Sequence, residues 1–278
     1  MKNTLCLKIS LQPFNPWSEI LVSQLSEMNF SSFEEKDNCL LAYGNEDEIN
    51  INQVLNETCL NNAPITFEWT TEIFPYQNWN EKWEKEYEAI HIDNKISITA
   101  PFHNQKEYLD INVLVQAQTS FGTGHHPTTQ LVISTMNKIF PFPKKILDMG
   151  TGTGVLAILA EKLGANAVTA VDIEDWSIDN AKNNAHLNES KSITFLCGDI
   201  NILKNEIFDL ILANINKNTL TNHVPIYSKC LNVNGLLILS GFLESDFDEM
   251  NTICIENQLI LSEKNQKEGW LCLSYSKI

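Results

Sequence analysis

Apolar and polar residues alternate from position 4 to position 11, with Leu5, Leu7 and Ile9 on one side, the pattern of a half-buried strand. Asn15 before Pro16 predicts a helix N-cap with proline in the first helical position, and the helix runs through Leu25. Two short strand-like pieces flank a turn at Lys36–Asn38, a second helix runs through Ile49, Val54 and Leu55, and Ile65–Phe74 is rich in β-formers. The order β-α-β-β-α-β is that of a small α+β ferredoxin-like domain, expected over residues 1–74. From Pro75 to Asn94, Trp79, Trp83 and Tyr87 recur every four residues among Glu and Lys, which predicts a helical linker over 75–94.

The remainder, 95–278, has a different rhythm. Lys95–Ala100 and Tyr108–Val115 read as strands, and a periodic apolar run after Pro127 (Leu131, Val132, Met136) as a helix. Short buried strands then alternate with helices. Lys145–Met149 runs through a glycine-rich turn into a helix carrying Val155, Leu156, Ile158 and Leu159, and Ala167–Ile173, Ser192–Cys197, Phe208–Asn214 and Gly235–Ser240 continue the series. A helix over Phe247–Ile255 and a closing hairpin, Leu259–Ser262 with Trp270–Ser276 around Gly269, complete a seven-stranded α/β sheet with an antiparallel edge.

Charge narrows the partners. The chain of 278 residues has 35 acids against 19 basic residues, all of them lysine, for a net charge of −16. Without a guanidinium fork and with an acidic surface, it is poorly suited to a phosphate backbone, so direct binding of nucleic acid is not expected. A basic protein or a small molecule is the better partner. Residues 1–74 hold eleven of the acids and three lysines, a net −8, which makes that module the expected docking surface for something basic. Seven cysteines form no CxxC pair and lie in apolar stretches, as reduced core thiols do, and no run of eighteen apolar residues exists to span a bilayer. The N-terminus lacks a signal-peptide pattern, so the cytoplasm is the expected compartment and a monomer the expected state.

The candidate chemistry is concentrated in four segments. Phe121–Thr129 has two glycines and three threonines, a loop whose backbone can approach a ligand and which ends at a helix N-terminus suited to a carboxylate. His125 and His126 there lack a neighbouring ligand set, so no metal is expected. Asp148-Met149-Gly150-Thr151-Gly152-Thr153-Gly154 forms the first strand-to-helix turn of a doubly wound sheet, and Asp172, 20 residues beyond Gly152, is placed to accept both ribose hydroxyls of an adenosine. Asp199 follows the third strand where an adenine amine could be held, and Asn214 ends the fourth. A nicotinamide dinucleotide also suits Gly152–Ala157. The charge of Asp148, which favours a ligand bearing an ammonium, and the amide of Asn214 in place of an acid or base weigh toward S-adenosylmethionine.

Taken in order, Phe121–Thr129, Asp148–Gly154, Val171-Asp172-Ile173 and Ala213-Asn214-Ile215 resemble the PrmA family, methyltransferases of large-subunit ribosomal protein L11. The resemblance extends over nearly the whole chain. It implies a Rossmann-like class I methyltransferase domain behind a substrate-recognition module, and a cytoplasmic enzyme that methylates lysine ε-amines and the N-terminal α-amine of a basic ribosomal protein. It also implies cofactor contacts at Thr129, Gly150, Asp172 and Asn214, to which the residues themselves add Thr128, Asp148, Gly152, Gly154 and Asp199. Asn214 is the candidate for orienting the amine, because its carbonyl accepts an N–H without adding charge. Without the prolines of an Asn-Pro-Pro-Tyr strand end, a planar amide or base is a poorer substrate than an aliphatic amine. Methylation of another protein or of a small-molecule amine stands as the alternative. Ile215-Asn216-Lys217-Asn218 departs from the more apolar family continuation.

Overall fold

A computed structural model describes residues 3–75, 87–116, 122–203 and 206–278. The chain forms two compact units, Met1–Glu86 and Tyr87–Ile278. In the first, strands β1 (Thr4–Gln12), β2 (Phe30–Lys36), β3 (Cys39–Asn45) and β4 (Thr66–Phe74) make an antiparallel sheet in the order β2-β3-β1-β4, with helices α1 (Trp17–Ser26) and α2 (Ile51–Glu57) between them. The alternation of β1 does what it predicts. Leu5, Leu7, Ile9 and Leu11 are buried with Leu21 and Leu25 of α1 and Val54 of α2. Asp37 and Asn38 adopt positive φ between β2 and β3, as a two-residue hairpin turn requires. The first helix begins one residue later than expected. Pro16 occupies its cap, and Asn15 accepts from the Ser18 hydroxyl at 3.2 Å, not from a backbone N–H.

The expected helical linker falls mostly on positions 76–86, with Trp79 and Trp83, which lie outside the described residues. Its far end is not helical. Ile90–Ile92 is a strand, β5, paired antiparallel with β6 (Ile96–Thr99), which runs parallel to β7 (Ile111–Leu114). Asp93 and Asn94, both at positive φ, provide the reversal that a four-residue aromatic count could not reveal.

The large sheet has the order β10-β9-β8-β11-β12-β14-β13: β8 (Lys145–Met149), β9 (Ala167–Asp172), β10 (Ile193–Cys197), β11 (Phe208–Asn214), β12 (Leu231–Leu243), β13 (Leu259–Lys267) and β14 (Trp270–Lys277). Strand β14 is antiparallel to both neighbours, so the reversed strand lies one place in from the edge and β13 forms the border. A hairpin turn at Glu268 and Gly269, both at positive φ, accounts for that swap. Helices α3 (Pro127–Asn137), α4 (Val155–Lys162), α5 (Asp175–Leu187), α6 (Lys217–Lys229) and α7 (Phe247–Glu256) cover the faces over two apolar layers. Helix α6 escapes a periodicity reading. Only Leu220, Val224, Tyr227 and Ser228 are buried in a segment rich in Asn, Thr and Lys, with Pro225 inside it. Among the described residues no helix is long and apolar enough to cross a membrane.

Two asparagines tie the small sheet to this body. The Asn188 amide accepts from Leu114 N–H at 2.9 Å and donates to the same residue's carbonyl at 2.7 Å, as a neighbouring strand would, while Asn184 accepts from Gln116 N–H at 2.9 Å. Asn188→Ala leaves both groups of Leu114 without these partners. We expect it to lower unfolding stability by roughly 1–3 kcal/mol in urea titrations, against less than about 0.5 kcal/mol for the exposed Asn183→Ala.

Candidate functional site

Parallel strands crossing over through helices leave their carboxyl ends open, and here the ends of β8, β9 and β11 border a cleft of about 500 Å³. The chain leaves β8 through Gly150 at φ +77°, where a methyl group would come within 2.1 Å of Ile215 Cγ2. Glycine is therefore required there twice over, by backbone and by space. The Gly152 N–H donates to Asp172 Oδ2 at 2.9 Å, and the Glu174 N–H donates to the other oxygen, Oδ1, at 3.2 Å. Asp172 is thus fixed at the tip of β9 by main-chain donors on either side, with lone pairs left for a ligand's hydroxyls.

The structure separates the expected site residues into those on the cleft and those behind it. Thr128, Gly150, Gly152, Asp172 and Asn214 line the cleft. Gly154 does not: at φ +81° it opens α4, and a Cβ there would sit 3.0 Å from the Cβ of Ala181 in α5, so its smallness serves helix packing. Asp148 lies beneath the turn at 1% exposure, away from the cleft wall. Its Oδ2 accepts from the Thr151 hydroxyl at 2.7 Å and the Ala157 N–H at 3.1 Å, while Oδ1 is buried without a partner. Burial pushes its carboxyl up to about 7; the two hydrogen bonds oppose the rise and nearby Asp172 adds to it.

Thr129 is likewise fully buried, but it touches the wall through Asn214, whose Nδ2 donates to the Thr129 hydroxyl at 3.3 Å. That bond turns the amide so that Asn214 Oδ1 is a buried acceptor with no partner. Asp199 does not join the group. It is exposed, and its oxygens accept from the Asn201 N–H and side-chain amide at 2.9 and 2.8 Å, since an aspartate that starts a turn caps its own backbone.

The paired histidines divide. His126 caps α3, its Nδ1 accepting from Thr128 N–H at 3.3 Å, and it lines the cleft against the Trp270 ring at 4.8 Å. His125 instead packs on Tyr87 at 4.4 Å and meets the Glu88 carbonyl at 3.2 Å. Phe121 lies outside the described residues. The rest of its loop rests on the glycine turn, with the Thr153 hydroxyl donating to the Gly122 carbonyl at 2.7 Å.

Sequence reasoning missed the residues that α6, β12 and β14 bring in: Thr219, His223, Gly241 and Trp270. Gly241 carried the readable signal. A lone glycine in a strand marks a bulge or a close approach; here φ is +99°, and a Cβ would lie 2.2 Å from the Ile215 carbonyl. Trp176, in the first turn of α5, was also overlooked. Burial lowers the pKa of His223, although Asp199 pulls the other way.

The family model for ribosomal protein L11 methyltransferase (PrmA) matches residues 18–278. The chain is similar to the ribosomal protein L11 methyltransferase of Porphyromonas gingivalis, 38% identical over 263 residues that cover 93% of this chain and 90% of the relative. It is similar also to that of Phocaeicola vulgatus, at 35% identity and 95% coverage of both chains. Among solved structures, the ribosomal protein L11 methylase of Lactobacillus delbrueckii subsp. bulgaricus aligns with a TM-score of 0.63 and 30% identity, over 69% of this chain and 99% of that one. A methyltransferase from Pyrococcus furiosus, 17% identical with a TM-score of 0.51 over 59% of this chain and 88% of that one, shares the fold.

The position of Asp148 has a consequence for pH. A carboxyl whose folded pKa stands at about 7, well above the 3.8 of a free aspartate, binds its proton more tightly in the native state. Its ionisation therefore opposes folding, and the stability it contributes in protonated form is lost as pH rises from about 4 to about 7. We expect Asp148→Asn to flatten that part of the stability-versus-pH curve by on the order of 3 kcal/mol, measured by urea unfolding across the window; an unchanged slope would show that the carboxyl is ionised throughout.

Proposed function

The chain belongs to the PrmA family of S-adenosylmethionine-dependent ribosomal protein L11 methyltransferases, and from that premise we propose that the cleft at the ends of β8, β9 and β11 is where an amine of that substrate is methylated. The observation that carries this reading is the Asn214 carbonyl oxygen, buried at the cleft wall and without a partner. An acceptor left unsatisfied in a protein interior costs about 1–3 kcal/mol, and a ligand N–H removes that cost.

The residues present suit the cofactor. Asp172 would take the ribose hydroxyls, and the bare backbone at Gly150 and Gly152 leaves room that a Cβ at Gly150 would close. Asp148, off the wall, serves the site by fixing the turn through the Thr151 hydroxyl and the Ala157 N–H. Bound there, S-adenosylmethionine supplies an electrophilic methyl group.

The chain's own task is to select and hold a neutral amine. A lysine side chain with pKa near 10.4 is neutral in about one molecule in 2,500 at pH 7, a cost of about 4.6 kcal/mol, whereas an α-amine near 7.8 costs about 1 kcal/mol. The apolar surroundings of Met149, Ile215 and Trp270 lower the amine's pKa by desolvation. Asn214 accepts one N–H and aims the lone pair; its neutral amide does not stabilise the extra proton as a carboxylate would. Thr129 holds that amide in the useful orientation.

Lysine ε-amines and the N-terminal α-amine of ribosomal protein L11 are the proposed acceptors. The first unit, with its net −8 over residues 1–74, is the proposed holder of this basic partner.

Incubating the protein with S-adenosylmethionine and purified ribosomal proteins should raise the intact mass of one basic protein by one or more methyl increments; no increment on any of them would sink the reading. Asp172→Ala should weaken S-adenosylhomocysteine binding by roughly 1–3 kcal/mol in calorimetry. Asn214→Ala should slow methyl transfer about tenfold or more, and Asn214→Asp at least as much, because the new charge favours the protonated amine.

A further inference from the structure

An amine that attacks a methyl group must first lose a proton, and the residues around the cleft decide where that proton can go. Among the described residues, four titratable side chains line it: Asp172 and Glu174 at and after the tip of β9, His126 at the head of α3, and His223 on α6. The carboxylates are already engaged. Asp172 accepts from the Gly152 and Glu174 N–H groups, and Glu174 accepts from the Trp176 indole N–H at 3.2 Å. Asp148 lies beneath the turn and Asp199 acts on His223 from outside the wall, so the two imidazoles are the candidate bases.

Hydrogen bonding fixes which nitrogen of each ring is bare. A main-chain N–H can only donate, and that of Thr128 donates to His126 Nδ1 at 3.3 Å, with the Thr128 hydroxyl 2.7 Å from the same atom. Nδ1 of His126 is therefore bare and its hydrogen sits on Nε2. His223 Nδ1 lies 3.1 Å from the hydroxyl of Tyr227, a fully buried residue. Among the described residues that hydroxyl has no other acceptor, so if it accepted from the ring its own hydrogen would be stranded in the core. Tyr227 donates, and His223 is bare at Nδ1 as well. In each ring the single lone pair is already in use. A proton placed on it would cost His126 the cap of α3 and His223 its bond from Tyr227.

Resting on the reading of the cleft as a site of amine methylation, we propose that the amine enters already neutral, having lost its proton to water. Thr128 and Tyr227 are the positioning residues that hold His126 and His223 as Nε2–H donors, so neither imidazole serves as a base. The step balances without them. The amine's lone pair forms the N–C bond while the methyl's bond to sulfur breaks and leaves its electrons on sulfur. The nitrogen becomes cationic and returns a proton to water before any further round.

With no base in the cleft, the amine's own ionisation sets the pH dependence. Rates of the full chain on ribosomal protein L11, resolved by digestion and mass spectrometry into α-amine and lysine sites, test this. At the lysines kcat/KM should rise about tenfold per pH unit from about pH 6 to about pH 9; at the α-amine it should rise as steeply to about 7.8 and then level. His223→Gln, and His126→Asn with its capping oxygen, should keep those slopes whatever the height of the curves. One inflection shared by both kinds of amine overturns the proposal, as does a loss of about a hundredfold in either variant that flattens the slope. A second readout needs no cofactor. Ring-nitrogen NMR of the histidine-labelled chain at about pH 8 should show His126 and His223 as Nε2–H tautomers, and Tyr227→Phe should mix the tautomers of His223 alone. An Nδ1–H tautomer at either histidine of the unaltered protein overturns the proposal, and an unmixed His223 in Tyr227→Phe removes Tyr227 from it. Absence of methylation at every amine and every pH would instead bring down the assigned reaction, with the tautomers still read by NMR.

Discussion

Between β8 and α4 the chain leaves a buried strand and enters a helix through three glycines at φ +77°, +55° and +81°. That turn is held from beneath, where one donor of the first helical turn finds a side-chain partner. Asp148 is that partner, with a single oxygen shared between the Thr151 hydroxyl and the Ala157 N–H. A carboxyl in this position is expensive to ionise, and from behind the cleft it holds the turn that borders it. With the turn in place, Gly152 can grip Asp172, Gly150 can pass Ile215, and Thr153 can hold the Gly122 loop.

The side chains around this turn work largely by holding one another in orientation. Thr129 sets the Asn214 amide, His126 caps α3 and packs on Trp270, and Glu174 steadies Trp176. The result is a cleft wall that carries a buried acceptor without a partner, Asn214 Oδ1. Preorganised acceptors of this kind select a nucleophile without themselves carrying charge, which suits a reaction that requires the amine to have lost its proton.

Much of this was legible along the chain, because the signals were local. The alternation of β1, the glycine spacing after Asp148, and the twenty residues from Gly152 to Asp172 each reflect a geometric requirement satisfied within one strand-turn-helix unit. What escaped reading was formed elsewhere or in a weak pattern. Helix α6 has few apolar positions and a proline, so periodicity passes over it, yet it supplies Thr219 and His223 to the cleft. The strand Ile90–Ile92 follows an aromatic spacing that points to helix.

The sequence by itself determined the module order, the seven strands, the acidic first module and the pairing of glycine turn and Asp172 at the cleft, because hydrophobic period and glycine placement act over a few residues. Tertiary structure decided which of the named residues line the cleft. Asp148, Thr129 and Gly154 sit behind the wall, Asp199 turns onto Asn201, and Trp176, Trp270 and His223 come forward. The physical reason is that a side chain's direction depends on neighbours brought from distant parts of the chain. The order of elements can be read before the chain folds; which of them face one cleft is settled by how the sheet and its helices close around it.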